Sequence, residues 1–102
     1  MPAATADAIE LLSCRWMLQV LYVLCQGGAR FSELSRAVPG LSRRVLTDRL
    51  RELAEQGLVQ RLVGGGPPTR ISYRLTDQGA ALRSVLEHIG SWAATYRPTR
   101  AC

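Results

Sequence analysis

Apolar positions along the 102-residue chain recur at helical spacing up to about residue 56, give way to a branched apolar run at 58–63 and an alternating one at 70–75, and return to helical spacing up to residue 96. Ala6, Ile9 and Leu11 or Leu12 predict a short first helix over about 5–13, capped by Thr5. The block from Trp16 to Cys25 is apolar on nearly every side, which predicts a helix over about 15–26 at the centre of a small domain, ended by Gly27 and Gly28. In "ARFSELSRAV", Ser32 is the expected cap of a two-turn helix whose Leu34, Ala37 and Val38 face inward. Pro39 and Gly40 break that helix, and Ser42 offers a fresh cap for another that runs to about Gln56 before Gly57 stops it. Two helices joined by a short turn containing glycine form the skeleton of a helix-turn-helix.

Beyond Gly57 the period changes. "LVQRLV" and "RISYRL" read as strands, and "GGGPPT" between them as a loop tip, so a hairpin follows the helix pair as a wing. "TDQGAALRSVLEHIGSWAATY" predicts one long helix starting at Thr76, with Leu82, Val85, Leu86, Ile89, Trp92, Ala93 and Tyr96 on one stripe. The fold expected is mainly α with a small β-hairpin (α+β), a winged helix-turn-helix in a single domain over 1–102. Within it, about 31–57 is the helix-turn-helix, about 58–75 the wing, and about 5–14 and 76–96 the outer helices. The apolar side of the last helix exceeds what so short a chain needs internally, and Trp92 and Tyr96 extend past the expected core, so a homodimer is expected. The closing "RPTRAC" is expected to be mobile.

Charge sharpens this picture through its location. The formal net charge is +5, and all 13 basic residues are arginine, a side chain suited to bidentate phosphate contacts, although a bias toward arginine codons gives the same composition. Residues 1–29 carry a balance of −1 and residues 75–102 a balance of +1, so the segment 30–74 holds the whole excess. A basic middle on a near-neutral scaffold is the electrostatic footprint of a nucleic-acid binder.

The basic residues also share a helix face. With Leu46 set at zero on a wheel of about 100° per residue, Leu50 and Leu53 fall within about 40° of it, Arg44, Thr47, Asp48 and Arg51 lie opposite, and Arg43 sits at the border. A merely solvated face would account for such charges, and Asp48 and Glu55 are spaced from Arg51 for ordinary surface pairs. Against that, arginines at a helix N-terminus oppose the macrodipole by about 0.3–1 kcal/mol each, whereas an adjacent phosphate would suit both. In helix-turn-helix docking, Arg43 and Arg44 would then fork onto guanine, Thr47 would meet a thymine methyl or a phosphate, and Arg51 would clamp the backbone. Ser32 and Ser42 belong to the same expected duplex-binding set, and Arg61 and Arg70, with Arg74, place further charge around the wing. The rival from another class is a winged-helix module that binds protein without touching DNA.

Taken in order, "RFSEL", "PGLS", "RVLTDRLREL" and "YRLTDQG" resemble the HxlR family of bacterial winged helix-turn-helix transcriptional regulators over about residues 8–96. The resemblance implies a cytoplasmic homodimer that binds an inverted-repeat operator, often as a repressor. It implies dimerisation through the first and last helices, hence Ile9 and Leu12 with Val85, Leu86, Ile89, Trp92 and Tyr96. It further implies recognition by the helix containing Ser42, Arg44, Thr47 and Arg51. Family members that sense oxidants carry a cysteine before a proline ahead of the tryptophan matching Trp16; Ala3 stands at that place, and Ser13 and Cys14 replace the family's usual glycine pair. The wing is also richer in glycine than most.

The other chemistry-bearing residues change little. Cys14 adjoins the positive Arg15 and is a candidate redox sensor, although a small residue at a helix junction is the simpler explanation. Cys25 reads as core and Cys102 as a free end, and three cysteines without paired spacing or a signal peptide fit a reduced intracellular protein. Trp16, Tyr22, Trp92 and Tyr96 are candidates to line a small-molecule effector pocket between dimer helices, or simply to pack. His88 has no partner at metal spacing, so no metal and no cofactor are expected. No nucleophile has a credible base, which speaks against an enzyme. The longest apolar run, "WMLQVLYVLC", is too short to cross a bilayer, so no membrane association is expected.

Overall fold

The computed structural model describes residues 1–97; the closing segment, with Cys102 and the mobile tail expected from the sequence, lies outside the described residues. Helix α1 (Ala3–Leu12) leads into α2 (Met17–Cys25), followed by strand β1 (Ala29–Arg30), α3 (Phe31–Ala37), α4 (Arg43–Glu55), β2 (Val59–Val63), β3 (Ile71–Leu75), α5 (Asp77–Ala80) and α6 (Arg83–Tyr96). The fold is mostly helical with a small antiparallel wing. No single helix among the described residues is long and apolar enough to cross a membrane.

Leucine spacing fixes α4. Leu46, Leu50 and Leu53 stack on one side and are at most 2% exposed. Ser42 caps the helix, its Oγ accepting from the Val45 N–H at 3.1 Å, and Gly57 closes it at φ +78°, a conformation costly for any residue with a side chain. Those leucines meet Met17, Val20, Leu21 and Leu24 of α2, Leu34 of α3, and Leu58 and Val59 leading into the wing. Helix α2 is central but not buried on every side, since Tyr22 is 56% exposed.

Four local features differ from the sequence expectation. Strand β1 is two residues long and pairs with β3 (Ala29↔Tyr73, Arg30↔Ser72), giving the sheet order β1-β3-β2. Helix α1 starts directly after Pro2, so Thr5 lies inside it rather than at its cap. Ser32 is likewise inside α3; the cap is Arg30, whose backbone N–H donates to the Glu33 carboxylate at 2.8 Å, an acid reaching back to the first free amide of the helix. The long final helix is broken at Ala81–Leu82 into α5 and α6.

The physical reason for that break is a close approach of backbone to backbone. Thr76 caps α5 as expected, its hydroxyl accepting from the Gly79 N–H at 3.2 Å and donating to the Gly57 carbonyl at 2.6 Å, while its own N–H reaches the Leu58 carbonyl at 3.0 Å. Gly79 is buried there, and a Cβ on it would fall onto the Leu58 carbonyl oxygen. The first turn after the wing is thus pressed against the end of α4, and the regular helix lapses at Ala81 and Leu82 before α6 begins. Replacing Thr76 with valine removes the cap and the tie to Gly57 together. We expect a loss of about 1–2 kcal/mol in stability, read from urea unfolding; an unchanged midpoint would show the tie to be idle.

Candidate nucleic-acid interface

Helix α4 carries no acid in its first turn, and Arg43, Arg44, Thr47 and Arg51 are all exposed on it. They differ in what holds them. The Arg43 guanidinium lies 4.9 Å from the centre of the Phe31 ring at the start of α3. Thr47 donates its hydroxyl hydrogen to the Arg43 carbonyl at 2.8 Å, which leaves its methyl and oxygen lone pairs facing outward. Arg51 pairs with Asp48 at 2.8 Å, an exposed contact that solvent and salt weaken. Arg44 has no hydrogen bond, ion pair or ring contact among the described residues and is free to reach a partner. Arg49 is different in kind: its side chain is 18% exposed, its guanidinium meets Glu52 at 3.4 Å, and its Nε is buried without a partner, so it belongs to the flank of the helix rather than to the open face.

Ser32 and Ser42 are exposed at the starts of the two helices, Ser42 with its oxygen used as a cap. In the wing, β2 and β3 pair from Val59↔Leu75 to Val63↔Ile71, and Arg61 and Arg70 stand exposed on the hairpin. Arg74 is engaged across the hairpin, donating through Nε and Nη2 to the Gln60 side-chain oxygen at 3.3 and 3.2 Å. The residue that sequence reading missed is Phe31. Its separation of twelve positions from Arg43 carries no period that would have linked them.

A second surface is apolar. Ile9, Val85, Ile89, Trp92 and Tyr96 are 44–69% exposed, and Leu12 is half-buried. Leu86, expected with them on an intersubunit surface, instead packs into the core of its own chain at 9% exposure, because it turns inward toward α2. The four aromatic residues considered for an effector pocket are divided by the structure. Trp16 and Tyr22 share a groove of about 520 Å³ with Pro39, Leu86, Ile89 and Gly90, whereas Trp92 and Tyr96 pair with each other at 6.0 Å between ring centres.

Trp16 itself sits at φ +72°, a left-handed backbone that costs a tryptophan about 1 kcal/mol or more. Its ring is held between the Arg15 guanidinium at 5.2 Å and the turn before α4, where a Cβ at Gly40 would lie 3.5 Å from Cη2. Cys14 is half-buried, its thiol directed at the Glu10 carbonyl at 3.7 Å, and the neighbouring Arg15 charge lies over the Trp16 ring. Among the described residues no three His, Cys, Asp or Glu side chains cluster to hold a metal ion.

A helix pair whose second member presents a basic N-terminal face, followed by a hairpin bearing further arginines, is a winged helix-turn-helix of the DNA-binding class. The chain belongs to the HxlR-like helix-turn-helix family, whose model matches residues 11–101. It is 45% identical over 89 residues, 87% of this chain and 82% of the other, to the uncharacterized HTH-type transcriptional regulator YvaP of Bacillus subtilis. It is 36% identical over 87 residues, 85% of this chain and 78% of the other, to the HTH-type transcriptional regulator YodB of the same organism. The reduced form of YodB superposes with a TM-score of 0.85 over 99% of both chains at 32% identity. Family membership makes this protein a DNA-binding transcriptional regulator and not an enzyme.

Proposed function

We propose that the chain acts in the cytoplasm as a homodimeric repressor that reads a near-palindromic operator. The observation that carries this reading is the exposed, acid-free N-terminal face of α4, with an Arg44 that has no partner among the described residues. Two α4 helices related by a two-fold axis and set about 34–36 Å apart would enter successive major grooves of one face of B-DNA. Arg44 then reaches the O6 and N7 of a guanine, and the Thr47 methyl meets a thymine. Arg51, released from Asp48 at modest cost, contacts phosphate, as do Arg61 and Arg70 from the wing, with Ser32 and Ser42 at the backbone. The apolar surface of Ile9, Leu12, Val85, Ile89, Trp92 and Tyr96 is what the second copy covers, since a monomer in water gains nothing from a stripe of large exposed side chains.

The test is Arg44→Ala against an operator recovered by selection from random duplexes. We expect a loss of about 1–3 kcal/mol in binding, with relaxed preference at one base pair per half-site and an unchanged melting temperature. A variant that binds the selected duplex as tightly as the parent would remove Arg44 from the reading set, and one that melts would make it a structural residue.

A further inference from the structure

We infer that Phe31 is a positioning residue for DNA recognition: its ring, seated on the core, holds the Arg43 guanidinium toward α3 as a phosphate contact and so leaves base reading at the helix N-terminus to Arg44. The inference rests on the reading of α4 as the DNA-facing helix. It departs from the sequence expectation, in which Arg43 and Arg44 both fork onto guanine.

The ring and the guanidinium occupy matching places. Phe31 is the first residue of α3 and Arg43 the first residue of α4, so a contact of 4.9 Å between them bridges the leading ends of the two helices of the motif. The ring is anchored on its other side, since Phe31 is half-buried and packs against the buried cluster. The backbone before it is fixed as well, through the Arg30 N–H bonded to Glu33 and the pairing of Ala29 and Arg30 with β3. An arginine side chain otherwise loses considerable rotamer freedom on being immobilised, and a ring that already fixes its plane removes part of that loss before DNA arrives.

Direction follows from the same contact. In helix-turn-helix docking the first helix of the pair crosses the sugar-phosphate backbone while the second lies in the groove. A guanidinium drawn back onto the start of α3 is therefore drawn toward phosphate. Arg44 is one residue further round the helix, about 100° away, and nothing among the described residues restrains it. The two adjacent arginines thus divide the work that a single arginine cannot do, one fixing register and the other carrying sequence information. A positive charge at the first helical position, unfavourable to the macrodipole, is also partly offset by the ring face.

Two probes separate this from alternatives: a duplex selected by the parent protein from a random pool, and a scrambled duplex of the same length. Phe31→Leu is expected to weaken binding to both by a similar factor, about two- to fivefold. It should also lower the slope of log affinity against log salt by up to about one, as Arg43→Ala does in full. Phe31→Tyr, which keeps a ring face, should restore parental binding. Arg44→Ala should instead weaken the selected duplex and leave the scrambled one nearly unchanged.

A measurement on the free protein does not depend on how the leucine variant folds: the Arg43 Hδ and Hε resonances should be shifted upfield by the ring current in the parent. Absence of that shift overturns the inference. So does parental affinity in a folded Phe31→Leu variant, or a loss confined to the selected duplex. A parent protein that binds neither probe fails the DNA reading itself, whereas a parent that binds with Phe31 irrelevant fails only this inference.

Discussion

Replacing Gly79 with alanine is expected to lower the melting temperature by more than about 10 °C. The added methyl would be driven into the Leu58 carbonyl oxygen, which is backbone and already accepts the Thr76 N–H, so no side-chain rotation relieves the clash. Overpacking of this kind costs about 1–3 kcal/mol and often more where backbone must move, and a displaced Thr76–Leu58 hydrogen bond adds about 1 kcal/mol. Each kcal/mol is worth roughly 4–8 °C in a domain near this size, out of a total stability of about 5–15 kcal/mol. The effect would be read by circular dichroism. It bears on the proposed function, because the junction that Gly79 fills ties Leu58, between α4 and the wing, to α5 and so sets α4 relative to the exposed apolar stripe. A melting temperature within a few degrees of the parent would show that the approach of α5 to Leu58 is looser than the structure has it.

Ile89→Glu is expected to leave the single chain folded and to separate the proposed homodimer. Ile89 is 46% exposed in the chain alone, so a carboxylate there stays in water while the protein is monomeric. Burying it without a cation against the stripe of a second copy costs about 3–5 kcal/mol, a loss of at least about a hundredfold in association. In the proposed dimer two half-sites are bound together, so losing it should also remove the gain from linked binding, about 10²–10⁴ in operator affinity. Sedimentation would give the mass, and a two-half-site duplex against a one-half-site duplex would give the affinity. A variant that stays dimeric would move the interface away from α6.

The parts of this fold that were legible in the sequence are those in which one element answers to one period. The leucines of α4 and its Ser42 cap repeat a pattern that solvent alone enforces, and the wing announces itself by branched apolar residues before "GGGPP" and alternation after it. What stayed hidden needs a partner far along the chain. Two residues, Ala29 and Arg30, become a strand only because β3 lies beside them. The sequence from Thr76 to Tyr96 contains no residue that must stop a helix, and the interruption after Ala80 goes with the docking of Gly79 onto Leu58. Leu86 shares a stripe with Val85 and Ile89, yet it packs into the core and they stay outside.

The candidate site divides in the same way. The wheel separates Arg44, Thr47 and Arg51 from the buried leucines, and all three are exposed as that arrangement requires. It does not distinguish an arginine held by a ring from one held by an aspartate or by nothing, because Phe31 and Arg43 are brought together by the turn and not by helical spacing. Ser32 has the composition of a cap without the position of one, since Glu33 reaches past it to the Arg30 amide.

The central claim is that the exposed arginine face of α4, with the wing, binds duplex DNA through its phosphates. Its most direct test is the affinity of the unmodified protein for its selected duplex at 50 and 200 mM salt. Arg43, Arg51, Arg61 and Arg70 from each of two copies give about eight phosphate contacts, for which affinity should fall by about a thousandfold or more between those conditions. Binding that is insensitive to salt over that range, or no binding to duplex at either concentration, would contradict the account.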